Sequence, residues 1–68
     1  MYEPIENAGI FPTKKGNYTL LYDAGKEFSP FAVVLNYDAT KKYGDRWDAG
    51  HYYEDIYEAI TSLKRLGE

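Results

Sequence analysis

Cysteine is absent from the chain, which excludes disulfide bonds and thiolate metal sites as supports for the fold. The first sixteen residues, MYEPIENAGIFPTKKG, contain neither a long apolar stretch nor a basic leader. We therefore expect no signal peptide and no membrane span. A chain without cysteine is consistent with a reducing compartment, and the expected localisation is cytoplasmic.

Basic residues are in the minority: eight Lys and Arg stand against eleven Asp and Glu, a formal net charge of −3. This balance disfavours nonspecific binding to nucleic acid and favours a partner with a basic surface. At 68 residues the chain forms one domain, residues 1–68. Its core is too small to enclose a cleft of roughly 300 Å³ without great loss, so we expect no enzymatic activity.

Three segments are predicted to be β-strands, in which successive residues point to opposite faces, and the second of them is the most apolar stretch of the chain. Turn-forming residues separate these segments, which are NYTLLYD at 17–23, FAVVLNY at 31–37 and RWDAGHYY at 46–53. We predict that residues 17–53 form a three-stranded antiparallel meander with the second segment in its centre. Residues 1–16 are predicted to be irregular, and Ile10 with Phe11 is where a short extra edge strand would form.

After residue 53 the apolar period changes from that of a strand to that of a helix. The residues on the helical stripe are Ile56, Ala59, Ile60, Leu63 and Leu66. Asp55 is expected to cap the helix by accepting the Glu58 backbone N–H, and Gly67 to cap its C-terminal end. The predicted fold is therefore α+β, with a C-terminal helix at 55–66 packed on one face of the sheet.

Eight tyrosines are far above ordinary usage for a chain of this length. Trp47 and one of Tyr52 and Tyr53 are expected to pack beneath the helix. Because one helix cannot cover every tyrosine, we expect the opposite face of the sheet to stay in water with tyrosines exposed on it. Exposed tyrosine is common in recognition surfaces, since it offers rigid apolar area at low entropic cost. Tyrosine acting only in the core of a small sheet is the alternative interpretation.

Acidic residues are concentrated between residues 43 and 58, where five carboxylates accompany a single arginine, a local excess of four negative charges. Such a patch can steer the domain towards a basic groove, and the alternative is a merely solvated face. Together with the neighbouring tyrosines, these acids give the predicted partner-binding residues: Tyr43, Asp45, Asp48, Tyr52, Glu54, Asp55, Tyr57 and Glu58.

His51 is the only histidine, and it does not complete a recognisable site. Scattered carboxylates around one histidine match no standard zinc arrangement, and strand alternation places Asp48 and His51 on opposite faces. Ser29 and Ser62 have no evident base and orienting group. We therefore predict no metal, no cofactor and no catalytic residues.

The outline of the chain is that of a short, acidic, tyrosine-rich domain in which YDAG precedes an apolar strand and GHYYEDIYEAI leads into a closing helix. This outline resembles small accessory proteins of phages and conjugative elements, a class that includes anti-CRISPR inhibitors. The resemblance covers the whole chain without a signature motif, so no functional residue is carried over. It implies a non-enzymatic inhibitor of a host defence complex such as a Cas nuclease, bound through a basic groove.

Two other functions are compatible with the sequence. A small nucleic-acid-binding or regulatory module would stack bases on exposed tyrosines and contact phosphates through lysines of the predicted turns: Lys14, Lys15, Lys26, Lys41 and Lys42. A homodimer would instead pair its tyrosine-bearing face with a second copy. Loop lysines also guard sheet edges against unwanted pairing, which is their alternative role.

Overall fold

The computed structural model describes residues 1–6 and 8–66, which form five β-strands and one α-helix. In chain order, these are β1 (Glu3–Pro4), β2 (Ile10–Thr13), β3 (Gly16–Tyr22), β4 (Phe31–Leu35), β5 (Ala49–Tyr53) and α1 (Ile56–Leu66). The α+β class and the C-terminal helix are confirmed. Gly67, the predicted C-terminal cap, lies outside the described residues.

The five strands form one antiparallel sheet in which β3, β4 and β5 are consecutive neighbours, as the meander prediction requires. Both β1 and β2 pair with the other edge of β3, β2 opposite residues 16–19 and β1 opposite residues 21–22. The edge strand at Ile10 and Phe11 is therefore present. The predicted irregular segment, residues 1–16, thus contains β1 as well as β2, because β3 is long enough to pair with two short strands in succession.

The helix and one face of the sheet enclose the first part of the core. Tyr18, Leu20 and Val33 lie on this face and pack against Ala59 and Leu63 of α1. These positions follow the strand and helix periods read from the sequence. Half-buried side chains complete the cluster: Ile5, Ala8, Phe31, Leu35, Tyr53 and Leu66.

The first turn of α1 is capped by Asp55, whose Oδ1 accepts the backbone N–H of Tyr57 at 2.7 Å. The prediction named Asp55 correctly but chose the wrong donor, Glu58. An N-cap carboxylate can reach the N–H two or three positions along, and here the nearer one is used. Lys64 and Arg65 lie in the last turn, where cations complement the helix dipole.

The opposite face of the sheet is covered as well, contrary to the expectation from the sequence. Leu21, Ala32 and Val34 on this face are completely buried, and they pack with Tyr2 and Trp47. The expectation of a wet second face is therefore wrong at its centre. The expected position of Trp47 beneath the helix is also wrong, because β5 begins only at residue 49 and strand alternation does not extend back to the tryptophan.

Asp23, at the end of β3, is a nearly buried carboxylate with only 8% of its surface exposed. Its Oδ2 lies 2.9 Å from the N-terminal ammonium of Met1, and its Oδ1 accepts the Gly25 N–H at 2.8 Å. The hydrogen bond from the ammonium, followed by that from Gly25, lowers the pKa of Asp23 below its ordinary value. These contacts attach the first residues of the chain to β3 and so position Tyr2.

The lowered pKa predicts how stability depends on pH. A carboxylate whose folded pKa lies below its unfolded value stabilises the fold above the unfolded pKa, about 3.9, and this contribution is lost as pH falls through the folded pKa. Asp23→Asn should therefore lower the unfolding midpoint at neutral pH. The difference in unfolding midpoint between Asp23→Asn and the wild type should narrow as the pH falls from the unfolded pKa of Asp23 through its folded pKa.

Thermal unfolding of Asp23→Asn and the wild type, from neutral pH to acid pH, measures the difference between their unfolding midpoints. Asp45→Asn, which alters an exposed loop carboxylate, is the matched control and should leave the gap from wild type small throughout. A gap for Asp23→Asn that is the same at neutral pH and below the folded pKa would contradict the assignment.

Candidate functional site

The hydrogen bonds of the central strands fix which backbone groups point towards each sheet edge. Asp23 N–H donates to Pro30 at 2.8 Å, and Asn36 N–H donates to Asn17 at 2.7 Å. In an antiparallel pair, alternate residues bond to the same neighbour, so residues 32 and 34 of β4 also bond to β3. The backbone N–H and C=O groups of residues 31, 33 and 35 in β4 consequently point towards β5.

The outer edge of β5 follows from this alternation. Residues 49, 51 and 53 of β5 pair with Leu35, Val33 and Phe31. The backbone N–H and C=O groups of these three β5 residues therefore point towards β4. The N–H and C=O groups of Gly50 and Tyr52 therefore point outwards. Within residues 1–6 and 8–66, no strand pairs with this side of β5. It is an open edge with two unpaired donors and two unpaired acceptors.

Proline occupies two outward positions on the opposite edge of the sheet. Pro4 of β1 lies opposite Leu21, and Pro12 of β2 lies opposite Asn17, two β3 residues whose backbone groups point towards β4. Both prolines thus occupy outward positions. Proline has no N–H, so it removes the donor that an incoming strand would need without removing a hydrogen bond inside the sheet. Proline is absent from β5.

An aromatic layer covers the second face of the sheet beside β5. Trp47 is at its centre, with ring-centroid distances of 6.4 Å to Tyr2, 6.3 Å to Tyr37 and 6.4 Å to Tyr43. Tyr52 of β5 continues the layer, 5.7 Å from the ring of Tyr2. These are ordinary distances for interacting aromatic pairs. The layer therefore consists of five rings joined by these four contacts: Tyr2, Tyr37, Tyr43, Trp47 and Tyr52.

Gly50 gives the aromatic layer room to approach β5. A Cβ atom at residue 50 would lie 2.8 Å from the Tyr52 hydroxyl oxygen and 3.1 Å from Trp47 Nε1. Any larger residue would therefore displace one of the two rings. The glycine holds Tyr52 in place over the strand while leaving 48% of its surface exposed.

Carboxylates lie at both ends of β5. Asp48 immediately precedes the strand, and its Oδ2 accepts a hydrogen bond of 2.9 Å from Asn36 Nδ2. Glu54 and Asp55 immediately follow the strand and are exposed. We call the outward side of β5, with Tyr52 and these three acids, the β5-edge surface.

Tyr57 and Glu58 lie on the exposed surface of α1 rather than on the sheet. They line a shallow depression of about 430 Å³ together with Tyr53, Thr61, Ser62 and Arg65. A hydrogen bond from the Tyr53 hydroxyl to Ser62 Oγ joins β5 to this side of the helix. The depression therefore adjoins β5, and Glu58 adds a further carboxylate next to the β5-edge surface.

The predicted partner-binding residues are thus only partly brought together. Asp48, Tyr52, Glu54 and Asp55 share the β5-edge surface, and Tyr57 with Glu58 adjoins it. Tyr43 belongs to the aromatic layer, and Asp45 lies in the exposed connection before β5. The strand and helix periods of the sequence do not mark Tyr2 or Gly50, and they predict the wrong face for Trp47. The apolar runs TLL and AVV, which fill both faces of the central strands, were the available signal for a second layer.

The other groups considered from the sequence are scattered. His51 is exposed, and its pairing with Val33 places it on the helix side of the sheet. In the described part of the chain, no three metal-ligating side chains come together. The lysines of the β2–β3 and β4–β5 connections lie at one end of the sheet, whereas Lys26 lies at the other, 5.9 Å from the Tyr2 ring centre.

Comparison with known proteins gave no relatives: no family model matches the chain, and neither does any curated protein or solved structure. The helix of the described residues is too short to cross a membrane.

The packing at Gly50 gives a testable prediction. Gly50→Ala should displace the Tyr52 or Trp47 ring and lower the free energy of unfolding by about 1–2 kcal/mol, because the added methyl group overpacks the layer. Chemical denaturation followed by the fluorescence of Trp47, the single tryptophan, measures both effects.

The double variant Gly50→Ala with Tyr52→Phe is the control. Removing the nearest clashing atom, the hydroxyl oxygen, should recover part of the lost stability. Wild-type stability and unchanged fluorescence in Gly50→Ala alone would show that the rings do not lie against residue 50.

Proposed function

We propose that this protein is a non-enzymatic binding module that engages a partner with a basic groove through the β5-edge surface. The observation that carries the proposal is an open strand edge with carboxylates at both ends and an exposed tyrosine beside it that packs against Tyr2. A nuclease of a host defence system, such as a Cas nuclease, is the proposed partner, and inhibition is the proposed outcome. A cytoplasmic location goes with this proposal.

The charge of the surface supports a basic partner. Arg46 is the only basic residue between residues 43 and 58, and its Nε donates to the Lys41 carbonyl oxygen at 2.8 Å. The guanidinium also lies 5.7 Å from the Tyr43 ring centre. These contacts hold its charge on the loop before β5, so the acids along the strand keep a negative potential that accelerates encounter with a basic groove.

Tyr52 supports the proposal as an anchor. Its ring contacts Tyr2 and lies over Gly50, so little side-chain freedom remains to be lost on binding. Nearly half of its surface remains accessible. Tyrosines of this kind are frequent among the residues that dominate binding energies.

An inhibitor of a nuclease would place this surface in the groove that otherwise holds nucleic acid. The groove that holds a nucleic-acid backbone is lined with Lys and Arg. Carboxylates at the two ends of a strand would meet such cations, while the tyrosine offers the stacking contact that a base would otherwise supply. Binding there would exclude the nucleic acid by competition.

The proposal predicts which substitutions weaken binding. Tyr52→Ala should weaken affinity for the target nuclease about tenfold or more, because the anchor is lost. Glu54→Gln should mainly slow association and reduce its salt dependence, because an end charge is lost. Glu27→Gln changes the same charge in the exposed β3–β4 connection and should have no effect. Surface plasmon resonance against a panel of Cas nucleases, with nuclease assays alongside, measures these effects.

Unchanged affinity in both Tyr52→Ala and Glu54→Gln would remove the β5-edge surface from the proposal. Titration with single-stranded oligonucleotides at low salt tests the alternative of a nucleic-acid-binding module. That alternative requires salt-sensitive binding through the lysines at one end of the sheet, whereas the proposed function requires none.

A further inference from the structure

We propose that the partner binds by adding an extended, basic segment to β5 as a sixth strand. This inference rests on the proposed function and specifies how the β5-edge surface makes contact. Strand addition uses main-chain hydrogen bonds for affinity and flanking side chains for selection. Both features are present at this edge.

The backbone of β5 is ready for such pairing. Gly50 and Tyr52 each direct an N–H and a C=O outwards, so an incoming strand can form four main-chain hydrogen bonds. The far edge of the sheet cannot offer the same set of main-chain hydrogen bonds, because Pro4 and Pro12 occupy outward positions there and have no N–H. Strand addition is therefore directed to one side of the molecule.

The charges select the chemistry of the incoming strand. In an antiparallel pairing centred on His51, the residues opposite Asp48 and Glu54 are six positions apart in the partner. Opposite charges directly across a strand pair are favourable, and like charges are unfavourable. The occupant should thus be an extended segment with Lys or Arg at two positions six residues apart.

A second copy of this chain is a poor occupant for the same reason. If the β5 strands of two copies paired antiparallel about His51, the outward N–H and C=O groups of Gly50 in one copy would face those of Tyr52 in the other. The backbone alone would therefore permit a symmetric dimer. The same register, however, places Asp48 of each copy opposite Glu54 of the other. Two pairs of like charges oppose self-pairing, which leaves the edge free for a basic segment.

A short peptide serves as the probe. It has seven residues with blocked ends, lysine at both ends and alternating threonine and valine between them. Titrated into ¹⁵N-labelled protein, it should shift the amide signals of Gly50 and Tyr52 most. A peptide with glutamate in place of both lysines should bind at least about threefold more weakly.

Backbone methylation separates strand addition from charge attraction alone. Gly50→sarcosine, made by chemical synthesis, removes one outward N–H and places a methyl group in the path of an incoming strand. It should weaken binding of the lysine peptide at least about threefold while the spectrum of the free protein keeps the same fold. Glu27→Gln is the control and should bind as the wild type does.

The outcomes distinguish this inference from the proposed function. Lysine-dependent binding that survives Gly50→sarcosine, or that leaves the Gly50 and Tyr52 amides unshifted, overturns strand addition and leaves the acidic surface in place. Binding that is equal for the lysine and glutamate peptides, or absent at millimolar concentration, contradicts both.

Self-association provides an independent test that needs no partner. Glu54→Lys changes both like-charge pairs of the symmetric register into Lys–Asp pairs, so this variant should dimerise at least about tenfold more tightly than wild type, and less so at high salt. Glu27→Lys has the same net charge and should behave as wild type. Analytical ultracentrifugation measures this. A Glu54→Lys protein no more associated than Glu27→Lys would show that β5 does not pair.

Discussion

The two central strands carry apolar side chains on both faces, and a single helix of eleven residues can cover only one of them. The rest of the structure follows from this constraint. Leu21, Ala32 and Val34 would otherwise lie in water, so the chain supplies Tyr2 from before β1 and Trp47 from before β5 as a second layer. In so small a domain this burial is a substantial share of the hydrophobic stabilisation.

Covering both faces leaves the strand edges as the places where main-chain groups remain unpaired. Unpaired edges invite uncontrolled association, and proteins commonly block them with proline or charge. This molecule uses both devices. Pro4 and Pro12 each remove an outward donor from one edge, whereas Asp48 and Glu54 oppose only those strands at the other edge that are themselves acidic. Charge at an edge acts differently on acidic and basic strands, whereas proline removes a donor from any of them. The strand addition that we propose depends on this difference.

The parts of the fold that could be predicted from the sequence are those fixed by local periodicity. The central strands, the helix and the capping role of Asp55 follow from spacing and side-chain chemistry. Strand β1 has only two residues and exists because β3 offers an edge, so no local pattern marks it. Trp47 was assigned to the wrong face because the strand period was extended two residues too far. The acids around β5 were found by composition, but their relation to an open edge required the hydrogen-bond register.

Amide hydrogen exchange of the free protein reports which main-chain N–H groups of β5 are bonded, and it therefore determines whether the outer edge of β5 is open. We expect slow exchange at His51 and Tyr53, whose N–H groups point towards β4, and fast exchange at Gly50 and Tyr52, whose N–H groups point into solvent. Protection of Gly50 and Tyr52 equal to that of His51 would contradict the open edge.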